Sequence, residues 1–235
     1  MRAQAPPEQA DLKDPNLESI PTVGGVARIT GLPGSFRAAF AGVLRTIAAQ
    51  RNMKIHCLSA LMVLIVGMAL PLELTSRVAL LFAVGLVFFA EILNTALEAF
   101  VDLHIRDYHR LAMMAKDAAA AGVLVLALTT VVVLCEILWT EWDLVTANLD
   151  AVERSVTFGV PMVAVEGVGL FVLRRGALAV VRLVASLGLF VPLALHTRDP
   201  IYAILAVSLV VVSAWARWSF PRLPGRGAPR TKKPA

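Results

Sequence analysis

The sequence is poor in charge, aromatic side chains and cysteine, and each shortage excludes a class of protein. Only 17% of its 235 residues are charged and 58% are hydrophobic, which is too apolar for an ordinary soluble domain. Aromatic residues make up 7%, without the interleaved basic and aromatic pattern of a nucleic-acid groove. Cys57 and Cys135 have no CxxC spacing and are predicted to be packing residues. The composition indicates a multi-pass, all-α membrane protein.

Several familiar catalytic motifs are also missing. The sequence contains no GxxxxGK[ST] loop and no HExxH, and it shows no Ser–His–Asp arrangement. The Gly-Val-Gly at 167–169 lies inside an apolar run, so it is not a phosphate loop. A nucleotide site in this chain is therefore not a P-loop. Residues 1–30 lack the apolar core of a cleavable signal peptide and are predicted to form a disordered cytoplasmic tail.

Apolar runs long enough to cross a bilayer recur six times along the chain. The first three fall within residues 31–139 and the last three within residues 140–220, before a basic tail at 221–235. The sequence therefore predicts four segments: a tail, a three-span region, an additional three-span region and a second tail. The six predicted spans are roughly 55–72, 78–100, 118–139, 155–173, 177–195 and 201–217.

Lysine and arginine concentrate at alternate ends of these spans, which predicts the topology. Basic residues precede the first span and follow the second, fourth and sixth, whereas the other connections are acidic or nearly neutral. Both termini and the polar loop 102–116 are therefore predicted to be cytoplasmic. Before the first span, residues 35–50 have helical apolar spacing that suits an interfacial helix. The alternative is an extension of the first span. The predicted apolar face holds Phe36, Phe40, Val43, Leu44 and Ile47.

Four polar side chains interrupt or end the second span. Glu91, Asn94, Glu98 and Asp102 fall within roughly 80° of one helical face at 100° per residue. An ionised side chain at mid-membrane costs at least about 2.5–3.5 kcal/mol, so such a stripe must face protein, water or a cation. The alternative to a functional site is a set of hydrogen bonds between helices.

A second polar cluster begins the third span. Lys116 and Asp117 precede the small residues Ala118 to Gly122, which allow close approach of another backbone. Carboxylates suit Mg²⁺ shared with phosphates, a lysine binds phosphate, and a deeper glutamate can take a proton from a lipid hydroxyl. These are the components of a phosphoryl transfer. The alternative for Lys116 and Asp117 is an ordinary interfacial helix cap.

Three stretches together carry a family resemblance. EILNTALEAFVD at 91–102, then DYH at 107–109 and AKDAAAAGVL at 115–124, resemble the small bacterial integral-membrane lipid kinases. That family comprises diacylglycerol kinase and undecaprenol kinase, and the resemblance covers about residues 34–139. The RNMKIH segment at 51–56 resembles the undecaprenol kinase branch more closely.

The resemblance implies a three-span protomer with a surface helix, assembled as a homotrimer with shared active sites in the bacterial inner membrane. It implies a lipid alcohol as substrate, ATP as phosphoryl donor and Mg²⁺ as cofactor, with Glu91 as general base and Glu98 as a metal ligand. Gln50 stands where the family usually has a metal-binding glutamate, so weaker metal binding is expected. The resemblance also implies that Asn94 and Asp102 support the site. It further implies that the nucleotide is contacted by Lys116, Asp117, Asp107, Tyr108 and His109.

The last three spans have no counterpart in the minimal family. Glu166 is their one clearly intramembrane acid; it is predicted to be a hydrogen-bonded packing residue, and the alternative is a lipid-headgroup or proton site. Arg182 is predicted to extend to the cytoplasmic face. Two other functions stay open for the whole chain: a small transporter that relays protons or cations through Glu91, Glu98 and Glu166, and a non-catalytic membrane scaffold.

Overall fold

The computed structural model describes residues 31–105, 108–172 and 176–220. The two predicted tails, residues 1–30 and 221–235, lie outside the described residues, as does Asp107. The chain divides into two compact units, Met1–Phe40 and Ala41–Ala235.

The described residues are helical and contain no strand, which confirms the all-α prediction. A π-helical turn at Ser155–Gly159 joins the sixth and seventh of nine α-helices in this part of the chain. The α-helices are α1 (Leu32–Ala49), α2 (Arg51–Ala69), α3 (Leu74–His104), α4 (Arg110–Thr140), α5 (Trp142–Ala147), α6 (Leu149–Arg154), α7 (Val160–Phe171), α8 (Ala177–Leu195) and α9 (Pro200–Ser219).

Six helical segments in the described chain are long and apolar enough to cross a membrane, as the sequence predicts. They are Arg51–Ala69, Leu74–His104, Arg110–Thr140, Leu149–Phe171, Ala177–Leu195 and Pro200–Ser219. A chain that crosses a membrane several times in succession alternates in direction. We therefore expect the starts of α2, α4 and α8 at the same membrane face as the ends of α3, α7 and α9.

The helices that contain the second and third spans extend past the predicted apolar runs. Both α3 and α4 have 31 residues, and α3 ends at His104 and α4 begins at Arg110, inside the loop predicted at 102–116. The predicted loop bounds were wrong because they followed the apolar run, whereas a helix can continue past the hydrocarbon. The ends of α3 and α4 therefore project beyond their apolar parts and carry polar side chains with them.

Helix α2 is the most buried span and packs against α3, α7 and α9. Its contact with α9 is close because Gly67 has no side chain: a Cβ there would lie 2.4 Å from the ring of Tyr202. Tyr202 itself is fully buried. Leu44 and Ile47, from the predicted apolar face of α1, also pack in the core with Met53 of α2.

Helix α4 contrasts with α2, because it is exposed along most of its length. Within α4, Ala112 and Val123 are the buried residues. Cys57 of α2 is buried, as predicted, whereas Cys135 of α4 is exposed within this chain. Helix α4 contacts α3 along its length, so its remaining surface faces lipid or another protein.

The C-terminal helices bury an ion pair that the sequence reading did not anticipate. Arg182 Nη1 lies 2.6 Å from Glu166 Oε2, and both side chains are at most 5% exposed. Glu166 is thus hydrogen-bonded, as predicted. The prediction that Arg182 extends to the membrane surface was wrong, because Glu166 holds its guanidinium inside the protein.

Candidate active site

The acidic stripe predicted on one helix face is formed by α3, and its burial changes along the helix. Glu91 is 2% exposed and Asn94 is 4% exposed, whereas Glu98 and Asp102 nearer the end of α3 are half-buried. Asn94 Nδ2 donates a hydrogen bond to Glu98 Oε1 at 3.3 Å. The stripe therefore leads from the protein interior toward the membrane face where α3 ends.

Glu91 lacks a partner for part of its carboxylate. Its Oε2 is buried and accepts no hydrogen bond from the described residues, and the same holds for Asn94 Oδ1. Thr95 donates to the Glu91 backbone carbonyl at 2.8 Å and so does not satisfy the carboxylate. A buried polar atom without a partner costs about 1–3 kcal/mol. An acid kept in this state is suited to exchange a proton or to bind a ligand.

The end of α3 is tied to α4 by an ion pair. Lys116 Nζ donates to Asp102 Oδ1, and the side chains are 23% and 33% exposed. This contact brings the two predicted polar clusters together within one chain. Helix α4 begins at Arg110 with His109 at its N-cap. Lys116 and Asp117 therefore lie beyond the first turn, and the alternative that they cap the helix does not hold.

The other predicted site residues described by the structure are not brought together into one cluster. Gln50 precedes α2 at the N-cap position, without a capping hydrogen bond from its side chain. Tyr108, His109 and Asp117 are exposed. Among the described residues, no group of three or more His, Cys, Asp or Glu side chains is arranged to hold a metal ion. In the part of the chain that the structure describes, the acidic stripe and Lys116 therefore come together without enclosing a metal.

A crevice of about 770 Å³ lies between α3 and α4 beside the stripe. Asn94 is its polar residue, and the small residues Ala118, Ala119 and Gly122 line the α4 side. A Cβ at Gly122 would meet nothing within 4 Å, so the crevice is open there. The sequence analysis missed its aromatic walls, Phe89 and Phe100, because an aromatic residue in an apolar span carries no signal of its own.

Sequence comparison with known proteins assigns this chain to a family. A sequence model described as prokaryotic diacylglycerol kinase matches residues 37–138. An undecaprenol kinase of Bacillus subtilis is 37% identical over 99 residues, which cover 42% of this chain and 80% of that relative. The chain belongs to the prokaryotic diacylglycerol kinase family.

Two further relatives have the same family name. A diacylglycerol kinase of Synechocystis sp. is 44% identical over 100 residues, covering 42% of this chain and 57% of the relative. A diacylglycerol kinase of Escherichia coli is 36% identical over 84 residues, covering 36% of this chain and 69% of the relative. The match thus spans little more than half of the Synechocystis protein. No solved structure matches this chain significantly.

The family match includes the predicted site and excludes the last helices. All of the predicted site residues, from Gln50 to Asp117, lie within residues 37–138. Helices α5 to α9 begin after this range ends. Membership in the prokaryotic diacylglycerol kinase family therefore describes the first three spans, and the C-terminal helices require a separate account.

Proposed function

We propose that the protein transfers the γ-phosphoryl group of ATP to the hydroxyl of a membrane lipid. The observation that carries this proposal is the buried, partly unpartnered carboxylate of Glu91 on the same helix face as Glu98 and Asp102. Within a family of lipid kinases, this arrangement supplies a base inside the membrane and polar groups at its surface. Residues 31–139 form the kinase domain in this proposal, and residues 140–220 form an additional membrane region.

Glu91 is the general base of the proposed reaction. Its carboxylate takes the proton of the lipid hydroxyl, and the hydroxyl oxygen attacks the γ-phosphorus of ATP. The bond between that phosphorus and the bridging oxygen of ADP breaks, so the products are a lipid phosphate and ADP. The lipid reaches Glu91 from the bilayer, because both lie at membrane depth.

Asn94 and Asp102 position the groups around this base. The Asn94 amide holds the carboxylate of Glu98, and the Asp102 carboxylate holds the Lys116 ammonium. Glu91 and Glu98 are seven residues apart, which is about 10 Å along the helix axis. The stripe therefore separates proton removal inside the membrane from phosphate binding near its surface.

The nucleotide is bound near the ends of α3 and α4. Lys116 contacts the phosphates as a point charge, and the remaining contacts come from the α3–α4 connection and the exposed side of α4. The donors of this part of the site suit Mg²⁺, which takes one or two carboxylates and shares its other positions with phosphates. Glu98 and the amide oxygen of Gln50 would hold it, and when bound it neutralises phosphate charge. The proposed nucleotide contacts are Lys116, Asp117, Tyr108, His109 and Asp107, which lies outside the described residues.

The exposed small-residue face of α4 supports assembly of several chains. Ala118, Ala120, Ala121 and Gly122 are exposed in the single chain, and small residues allow transmembrane helices to pack closely. We infer a homotrimer in the bacterial inner membrane in which neighbouring chains complete each site. Because lysine and arginine concentrate at alternate span ends, we expect both termini and the kinase site on the cytoplasmic side, where ATP is available.

A labelled-ATP assay with purified protein tests the proposal. The acceptors are diacylglycerol, undecaprenol and ceramide in separate micelles at high Mg²⁺, and the substrate is expected to be diacylglycerol or undecaprenol. Lys116→Met is expected to lower transfer, whereas Arg198→Met, an exposed charge outside the family match at residues 37–138, serves as the control. Absence of transfer to every lipid alcohol would contradict the proposal.

A further inference from the structure

A second cavity lies among the C-terminal helices, away from the acidic stripe. It has a volume of about 280 Å³ and is formed by residues of α7, α8 and α9. It lies near the end of α7, the start of α8 and the end of α9, at the same membrane face as the kinase site. The residues that define its chemistry are Gly169, Val180, Arg182, Val211, Trp215 and Arg217.

Arg182 is held at this cavity by two features of α7. Glu166 accepts a hydrogen bond from Arg182 Nη1 at 2.6 Å. Gly169 leaves the space that the arginine side chain occupies, because a Cβ at this position would lie 2.0 Å from Arg182 Cδ. A guanidinium carries five N–H donors, so the bond to Glu166 leaves capacity for a second anion. The fold thus fixes a cation at the cavity.

The other walls have the character of a membrane–water interface. Trp215, Arg217 and Trp218 lie in the last turns of α9, and both tryptophans are more than half exposed. Tryptophan is enriched at the headgroup level of membranes. Val180 and Val211 are also exposed within their spans, so both side chains are accessible to lipid acyl chains. The cavity therefore has an apolar side toward the bilayer, with Arg217 near the membrane surface and the Arg182 guanidinium deeper, where Glu166 holds it.

We propose that this cavity binds an anionic phospholipid, with its phosphate at Arg182 and Arg217 and an acyl chain along Val180 and Val211. Among the described lining residues, both charged side chains are arginines and none is acidic. Basic pockets between transmembrane helices select anionic headgroups, and the apolar wall favours a bilayer lipid over a nucleotide. The proposal does not depend on kinase activity, because it concerns binding without ATP.

Quenching of tryptophan fluorescence by brominated lipids tests the proposal. The chain has four tryptophans, so Trp139→Phe and Trp142→Phe leave Trp215 and Trp218 as the reporters. The full-length protein is placed in bilayers with brominated phosphatidylglycerol or brominated phosphatidylcholine. We expect the anionic lipid to bind about fivefold more tightly, which corresponds to about 1 kcal/mol in total, the contribution of one arginine near the surface, because Glu166 already neutralises the charge of Arg182.

Variants distinguish lipid binding at this cavity from a general electrostatic attraction of anionic lipids to the protein surface. Arg217→Gln is expected to abolish the preference, whereas Arg110→Gln, which removes an exposed charge at the same face, is expected to retain it. Ala214→Phe fills the cavity and is expected to reduce quenching by both lipids. Equal quenching by the two lipids, or a preference unchanged in Arg217→Gln, would overturn the proposal. Brominated phosphatidic acid shows whether a phosphomonoester binds better than a phosphodiester.

Discussion

Among the described residues, two glutamates are buried inside membrane spans, and they differ in whether an ion-pair partner is present. Glu91 of α3 and Glu166 of α7 are 2% and 1% exposed. Glu166 pairs with Arg182, whereas Glu91 forms no ion pair within the described residues and leaves Oε2 unbonded. A paired acid joins helices, while a buried acid without a partner reduces stability. The comparison therefore fits a structural carboxylate at Glu166 and supports the proposed role of Glu91 as a base.

The largest effect is expected when Glu91 loses its ability to take a proton. Glu91→Gln keeps the size of the side chain, and lipid phosphorylation is expected to fall about 10²–10⁴-fold, the usual contribution of a general base. The measurement is the initial rate with labelled ATP and the preferred lipid. Glu136→Gln, on the exposed side of α4, is the matched control and should retain activity. Full activity of Glu91→Gln would remove the proposed base.

Glu166 is expected to control stability. Glu166→Ala leaves the Arg182 guanidinium buried and uncompensated, which costs about 3–5 kcal/mol of unfolding free energy. The measurement is unfolding by sodium dodecyl sulfate in mixed micelles. Glu166→Leu combined with Arg182→Met should recover most of the loss. Glu91→Leu is the comparison variant and should leave stability unchanged or raised; a loss as large as that of Glu166→Ala would erase the distinction between the two acids.

The glycine beside the buried ion pair is expected to give an intermediate effect. Gly169→Ala places a Cβ against Arg182, and overpacking of this kind costs about 1–3 kcal/mol. Gly188→Ala of α8 is the control, because its Cβ would meet nothing within 4 Å and alanine favours the helix. The same unfolding assay compares them. Equal stabilities of the two variants would show that the contact at Gly169 is not tight.

The smallest effect is expected for the pH dependence of stability at the ion pair between Arg77 and Asp199, just before α9. Arg77 Nη1 lies 2.6 Å from Asp199 Oδ2. Burial raises the pKa of Asp199, but hydrogen bonds from Arg77 and from the Ile201 backbone N–H outweigh it, so the pKa is lowered. The stabilisation is therefore present above the unfolded pKa of about 3.9 and is lost as pH falls through the folded pKa. Because Arg77 is about one-third exposed, it amounts to less than about 1 kcal/mol.

The control for this pH effect is Asp199→Asn. Asn still accepts the N-cap hydrogen bond that Asp199 Oδ1 receives from Ile201, but it does not titrate. The measurement is unfolding free energy between pH 3 and pH 6. The acid-dependent loss assigned to this pair is expected in the native chain and absent in the variant. An identical pH profile for both proteins would show that Asp199 does not contribute.

Local periodicity in the sequence predicted the membrane spans and the acidic stripe. It did not predict contacts between residues that are distant in the sequence. Hydropathy is sufficient to find six spans, and the 100° helical repeat is sufficient to place Glu91, Asn94, Glu98 and Asp102 on one face. The pairing of Glu166 with Arg182 depends on how α7 and α8 pack after a turn, which no local pattern encodes. The same holds for Gly67 and Tyr202, which are 135 residues apart in the chain. The site roles of all the predicted residues, from Gln50 to Asp117, stay predictions.

The contact between Gly67 and Tyr202 has a consequence for shortening this protein. The tyrosine ring occupies the space beside the glycine, so α9 forms part of the wall around α2. Deleting α5 to α9 to reproduce the length of the smaller relatives would expose a notch on the first span. A shortened protein would therefore expose a new surface to the bilayer, and its behaviour would not report on the first three spans alone.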